Sequence, residues 1–183
     1  FSHTFKMRPK IDRDLDYFVP AALAGLCYVL FFHELGGIGF LGPDEPRYAG
    51  VAREMYLSGD YVTPRLLGEN WFEKPVLMYW GAALGYAIFG IGETGARLPS
   101  AVGATLSVFL VYWVGRRLFT RGIGMSAAVI LATSIGFFGL ARAASTDMPL
   151  TAALTAALAF FLVGYETSET SRRWYFYAFY ASV

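Results

Sequence analysis

Residues 44–75 read DEPRYAGVAREMYLSGDYVTPRLLGENWFEKP, a charged island between apolar stretches. It carries ten charged residues from a whole-chain total of 15 Lys+Arg and 14 Asp+Glu. A plain connector has little use for an Asp-Glu pair, several arginines, a lysine and interleaved aromatics. A site that handles a charged group beside a membrane needs that mixture. Inside the island, Asp44 suits a helix N-cap and Pro46 the first turn. Tyr48, Val51, Ala52 and Met55 recur at i, i+3, i+4 and i+7, while Arg47 and Glu54 share another face. This predicts an interfacial amphipathic helix that stops at Ser58-Gly59. Pro64, Gly68 and Pro75 predict irregular chain from there to Val76.

Outward from the island the chain turns apolar. Tyr17–Leu41 is long enough to cross a hydrocarbon core of about 30 Å with some tilt. Further runs are expected at 97–119, 123–141 and 149–165, with another starting near Trp174. Residues 42–92 form the loop and juxtamembrane region. The whole chain is 183 residues, 56% hydrophobic and 16% charged, with a mean hydropathy of +0.44. Soluble domains carry about 25% charged residues, so the composition defines an integral membrane protein. A net charge of +1 argues against nucleic-acid binding, which requires a basic patch or stripe. Cys27 alone allows no internal disulfide, and no Cys/His cluster has zinc spacing. His3 and His33 are isolated and read as structural. The chain starts at Phe1 and stops at Val183 inside an aromatic run, which reads as the N-terminal part of a larger protein.

Charge asymmetry orients the bundle. Lys6, Arg8, Lys10 and Arg13 precede the first run, which puts the N-terminus in the cytoplasm and Asp44 on the opposite face. The short glycine-rich run Val76–Gly92 is the ambiguous one. If it does not span, the Arg116/Arg117/Arg121 and Arg172/Arg173 clusters join the N-terminus, and nine of the 15 basic residues lie inside. Val76–Gly92 is therefore expected to be a juxtamembrane or re-entrant helix, and Asp147 to share the external face with Asp44.

Each candidate residue has a plain and a chemical reading. Asp44 is a helix cap favoured by the dipole, or a general base at the membrane surface, with Glu45 beside it as the other carboxylate. Arg47, Arg53, Arg65 and Lys74 snorkel to lipid headgroups, or they clamp a phosphate. Asp147, after Ser145-Thr146, caps the helix it starts, or it is a second carboxylate with Arg142 nearby. Arg97 opens a helix, where a cation opposes the dipole; an anionic partner such as Glu93 would resolve that conflict.

Asp44-Glu45-Pro46-Arg47-Tyr48, Ala52-Arg53-Glu54-Met55, Ser58-Gly59-Asp60, Thr63-Pro64 and Phe72-Glu73-Lys74-Pro75 with Tyr79-Trp80 closely resemble the aminoarabinose transferase-like branch of the bacterial GT-C glycosyltransferases. These are relatives of the dolichyl-phosphate-mannose protein mannosyltransferases. Ala96-Arg97-Leu98-Pro99, Gly115-Arg116-Arg117-Leu118 and Thr146-Asp147 continue the resemblance, which covers most of residues 44–149. It implies an all-α, polytopic GT-C-type helical bundle with juxtamembrane helices in its first extracytoplasmic loop, in the bacterial inner membrane. It implies an inverting transfer of a sugar from a polyprenyl-phosphate donor to lipid A or a protein. On matching positions it makes Asp44 and Asp147 the catalytic carboxylates and Arg47 and Lys74 the donor-phosphate ligands. Glu73 shares the motif, and Glu45 and Arg53 would support it. A divalent metal requirement stays open, and this chain alone is expected to be inactive. The competing reading is a non-catalytic polyprenyl-phosphate carrier, lipid transporter or scaffold. Buried mid-helix charges would mark a transport path, whereas here the charges gather at one face.

Overall fold

The computed structural model describes residues 13–167 and 169–182; Lys6, Arg8, Lys10 and His3 lie outside them. α1 (Arg13–Cys27) runs on into one π-helical stretch, Tyr28–Phe32. The helix ends there rather than at Leu41, which corrects the expected 17–41 run. Glycines at 36, 37 and 39 follow, and Glu34 adopts a left-handed φ of 48°. Carbonyls freed by the ending helix accept from arginine side chains instead of continuing the ladder. Arg142 donates to Leu30, His33 and Glu34 carbonyls.

α2 (Asp44–Ser58) buries the expected face of Tyr48, Val51, Ala52 and Met55. Gly59, at φ 70°, closes it and donates to the Met55 carbonyl. Asp44 does not cap the helix as expected. It is the first helical residue, Pro43 stands at the N-cap, and no side chain caps the end. The stretch expected to be irregular contains a small hairpin, β1 (Arg65–Leu66) with β2 (Glu69–Asn70). Both turn residues, Leu67 and Gly68, have positive φ, the geometry that matches strand twist in two-residue hairpins. Leucine tolerates that φ here because Glu54 accepts from the Leu67 and Gly68 amides at 2.6 and 3.2 Å.

α3 (Val76–Phe89) lies close against α4 (Glu93–Leu118). Gly81 meets the Pro99 ring and Gly85 meets the Gly95 carbonyl, so a Cβ at either position would overlap α4. α4 is the central helix and packs on α3, α5 and α7. The expected continuous run 123–141 is two helices, α5 (Arg121–Thr133) and α6 (Ile135–Ala141), bent by 67°. The Thr133 and Ser134 hydroxyls donate to the Val129 and Ile130 carbonyls at the break; such back-bonding bends helices. α7 (Asp147–Glu166) and α8 (Glu169–Ser182) complete the described chain. Leu150, Leu154, Leu158 and Leu162 form an exposed apolar stripe on α7, as lipid-facing helices present. α4 and α7 are each long and apolar enough to cross a membrane, and the bent α5–α6 pair is a broken span by the same measure.

Candidate active site

The loop before α2, the start of α4 and the turn before α7 converge at one end of the bundle, and a buried ion pair joins them. Arg97, one turn into α4, meets Glu45 of α2 through Nε to Oε1 and Nη2 to Oε2, both at 2.9 Å. Arg97 also donates to the Leu35, Ile38 and Gly39 carbonyls at 2.7–2.9 Å. All five guanidinium N–H groups are therefore used. Glu45 is equally saturated. Its Oε2 also accepts from the Leu41 amide and its Oε1 from the Ala144 amide, each at 2.6 Å. Burial pushes the Glu45 carboxyl up, but the Arg97 and backbone hydrogen bonds more than offset that and hold it below its ordinary value. The partner expected for Arg97, Glu93, is replaced by Glu45, 52 residues away.

Glu45 thus has no free lone pair, whereas its chain neighbour Asp44 keeps an exposed carboxylate. Asp44 is exposed and accepts from Arg47 Nη1 at 3.3 Å. The Arg47 guanidinium lies 5.6 Å from the Trp71 ring centroid. The Trp71 amide donates to the Pro64 carbonyl at 2.8 Å, so the hairpin sets where this indole sits. Exposed Glu73 and Lys74 follow within three residues, on the segment that Arg47 contacts. Tyr79 is fully buried beneath, 6.5 Å from Tyr48 ring to ring.

Asp147 is also exposed, at the start of α7, where its charge favours the helix dipole. It accepts from Ser145 Oγ at 2.7 Å. Arg142, expected beside it, turns instead to the carbonyls ending α1. Only two residues separate Asp147 from Ala144, whose amide Glu45 holds, so the starts of α2 and α7 are neighbours. Arg53 is not part of this grouping. It is exposed, nine residues beyond Asp44 and roughly 13 Å along the helix. Arg65 pairs with Asp60 at 2.9 Å. Among the described residues, no three His, Cys, Asp or Glu side chains converge as a metal ligand set.

Sequence reasoning missed the Glu45–Arg97 contact and the placing of Trp71 under the Arg47 guanidinium. The signal for the first was present: a cation opposing a helix dipole needs an anion. Its partner was hidden because the two residues meet only after α3 folds back.

The helical membrane bundle, with short helices beside its spans and acidic and basic side chains gathered at one end, is of the polytopic GT-C type by its likeness to a solved structure of that class. The chain belongs to the dolichyl-phosphate-mannose-protein mannosyltransferase family, whose profile matches residues 73–183. It is 37% identical over 154 residues to an undecaprenyl phosphate-alpha-4-amino-4-deoxy-L-arabinose arabinosyl transferase of Edwardsiella ictaluri, covering 84% of this chain and 27% of that relative. A relative of the same description from Pseudomonas fluorescens is 39% identical, with 82% of this chain and 26% of the relative covered. The crystal structure of ArnT from Cupriavidus metallidurans bound to undecaprenyl phosphate superposes with a TM-score of 0.82 at 31% identity, over 92% of this chain and 31% of that one. The apo structure of the same protein gives 0.77. The chain thus spans between a quarter and a third of the length of these relatives.

Proposed function

We propose that the protein is an inverting membrane glycosyltransferase that moves a sugar from a polyprenyl-phosphate carrier to lipid A or a protein acceptor. One observation carries this reading. Exposed Asp44 stands beside Arg47, the Arg47 guanidinium lies over Trp71, and Lys74 follows on the same segment. An acceptor group and a phosphate therefore have neighbouring partners. The likeness to a structure that holds undecaprenyl phosphate supports the carrier class.

In the reaction, an acceptor oxygen attacks the anomeric carbon while the bond from that carbon to the phosphate oxygen breaks. The electron pair leaves with the polyprenyl phosphate, which gains one negative charge and needs electrostatic stabilisation rather than a proton. Arg47 and Lys74 supply it, and exposed Glu73 lies beside Lys74 on the same segment. When the acceptor is a hydroxyl, Asp44 takes its proton; when it is a phosphate, no deprotonation is needed and Asp44 mainly positions neighbouring groups such as Arg47. Asp147 is the second acidic group, and Arg53 is a more distant support. The deciding experiment is radiolabelled sugar transfer from an undecaprenyl-phosphate donor by the full-length protein in proteoliposomes. Mass spectrometry of lipid A and glycoproteins from cells with and without the gene then identifies the acceptor. Carrier movement without transfer would overturn the reading.

We also infer that α3 does not cross the bilayer and that the site end is extracytoplasmic, in the inner membrane. At 14 residues α3 spans roughly 21 Å, short of a core of about 30 Å. The Glu45–Arg97 contact supports this, because the chain on either side of α3 returns to one end of the bundle. The Arg116, Arg117 and Arg121 cluster then falls in the cytoplasm. A Phe119→Cys variant should resist impermeant thiol reagents added from outside; rapid labelling there would overturn this topology.

A further inference from the structure

We propose that Glu45 is a positioning residue that, gripped by Arg97, sets Asp44 and Asp147 against each other; this rests on the transfer function proposed above. The carboxylate accepts four N–H groups from three separate segments: one from the loop before α2, two from α4, and one from the turn before α7. Asp44 is its immediate chain neighbour. Asp147 follows the Ala144 amide by three residues, and Ser100 Oγ adds a second tie from α4 to that turn through the Ser145 carbonyl at 3.2 Å. Both exposed aspartates therefore inherit their placement from one buried carboxylate that is sequestered from substrate.

The chemistry at this point demands a carboxylate and a guanidinium. A glutamine offers one acceptor oxygen, so its NH2 group would face two N–H donors. A lysine at 97 offers at most three donors where five are used. Arg97 has none left over for a donor phosphate, which separates it from Arg47 and Lys74. A positioning role predicts that kcat falls while donor binding is kept. A misplacement of about 1 Å costs on the order of a hundredfold in rate.

The test is a double-mutant cycle in the full-length protein, scoring kcat per monodisperse molecule and the KM for an undecaprenyl-phosphate-linked sugar. Glu45→Gln should lower kcat by about a hundredfold with KM unchanged within about twofold. In an Asp44→Asn background, Glu45→Gln should cost clearly less than in the unaltered protein, because the part of its effect that acts through Asp44 is already lost and only the part through Asp147 remains. Should Glu45→Gln not be recovered folded, Arg97→Lys carries the same cycle with the charge retained, and the same result is expected. Unchanged kcat, an effect confined to KM, or a full additive loss in the Asp44→Asn background would each overturn the positioning role. Absence of transfer by the unaltered protein would overturn the proposed function itself, and the positioning role with it.

Discussion

The site end and the body of the bundle are held by opposite means. At the site end a fully satisfied polar network joins α2, α4 and the turn before α7, with the Arg97 and Glu45 side chains only 5% and 7% exposed. In the body, helices meet through small residues. A Cβ on Gly124 would stand 2.6 Å from the Tyr112 carbonyl oxygen, and one on Gly115 would stand 2.5 Å from Gly124 Cα. Lipid provides no hydrophobic drive between helices, so close backbone approach and van der Waals contact must supply association in the body. Loops at the site end cannot pack that way. They have carbonyls to satisfy and two exposed aspartates to place, and directional hydrogen bonds do both. Adjacent residues show the contrast most sharply: Asp44 is 64% exposed and available, Glu45 is buried and spent.

The largest effect expected is chemical and confined to the site end. Asp44→Asn in the full-length protein should lower transfer to a hydroxyl acceptor by about 10²–10⁴-fold, read by radiolabelled transfer, with the fold intact. Near-normal transfer would remove the base role. Next comes the network itself. Arg97→Ala leaves a buried carboxylate uncompensated and should cost about 3–5 kcal/mol of stability, measured as thermal unfolding in detergent. The network also has a pH signature. The Glu45 carboxyl is held below its ordinary value when folded, so its stabilisation is present above the unfolded pKa of about 4.3 and is lost as pH falls through the lower folded value. The melting temperature of the unaltered protein should thus fall in acid more steeply than that of an Arg97→Ala variant.

In the body, Gly124→Val should separate α4 from α5 and cost about 1–3 kcal/mol, with donor binding retained. If it abolished binding instead, the two regions would not be separable as described. Lys74→Ala should raise the donor KM by about tenfold, the worth of one charge-assisted hydrogen bond, and leave the melting temperature unchanged; unchanged donor use would remove Lys74 from the phosphate clamp. The smallest effect sharpens the body's side of the contrast. Gly136 on α6 has open space where a Cβ would go, so Gly136→Ala should stabilise by at most about 1 kcal/mol through helix propensity. The same swap at Gly124 should destabilise.

Much of the architecture was legible because periodicity and length are local properties. The buried face of α2, its stop at Gly59 and the long apolar helices α4 and α7 follow from spacing within each segment. Breaks inside apolar runs were less legible. The 33–41 stretch is as apolar as a helix, yet its glycines and the waiting arginines end the helix at Phe32. The α5–α6 bend arises from two hydroxyls inside a run whose hydropathy does not change. The hairpin at 65–70 was hidden because its turn needs Glu54, from another element, to hold Leu67 at positive φ.

Composition and motif order by themselves determined a polytopic helical membrane protein of the GT-C kind, with charge gathered between its apolar runs. They also marked Asp44, Arg47, Lys74 and Asp147 as residues with chemistry to offer. Only the tertiary structure decided which of the two adjacent carboxylates is spent. Saturation of Glu45 by four donors is a property of three segments meeting, and no local pattern encodes a hydrogen bond spanning 52 or 99 residues.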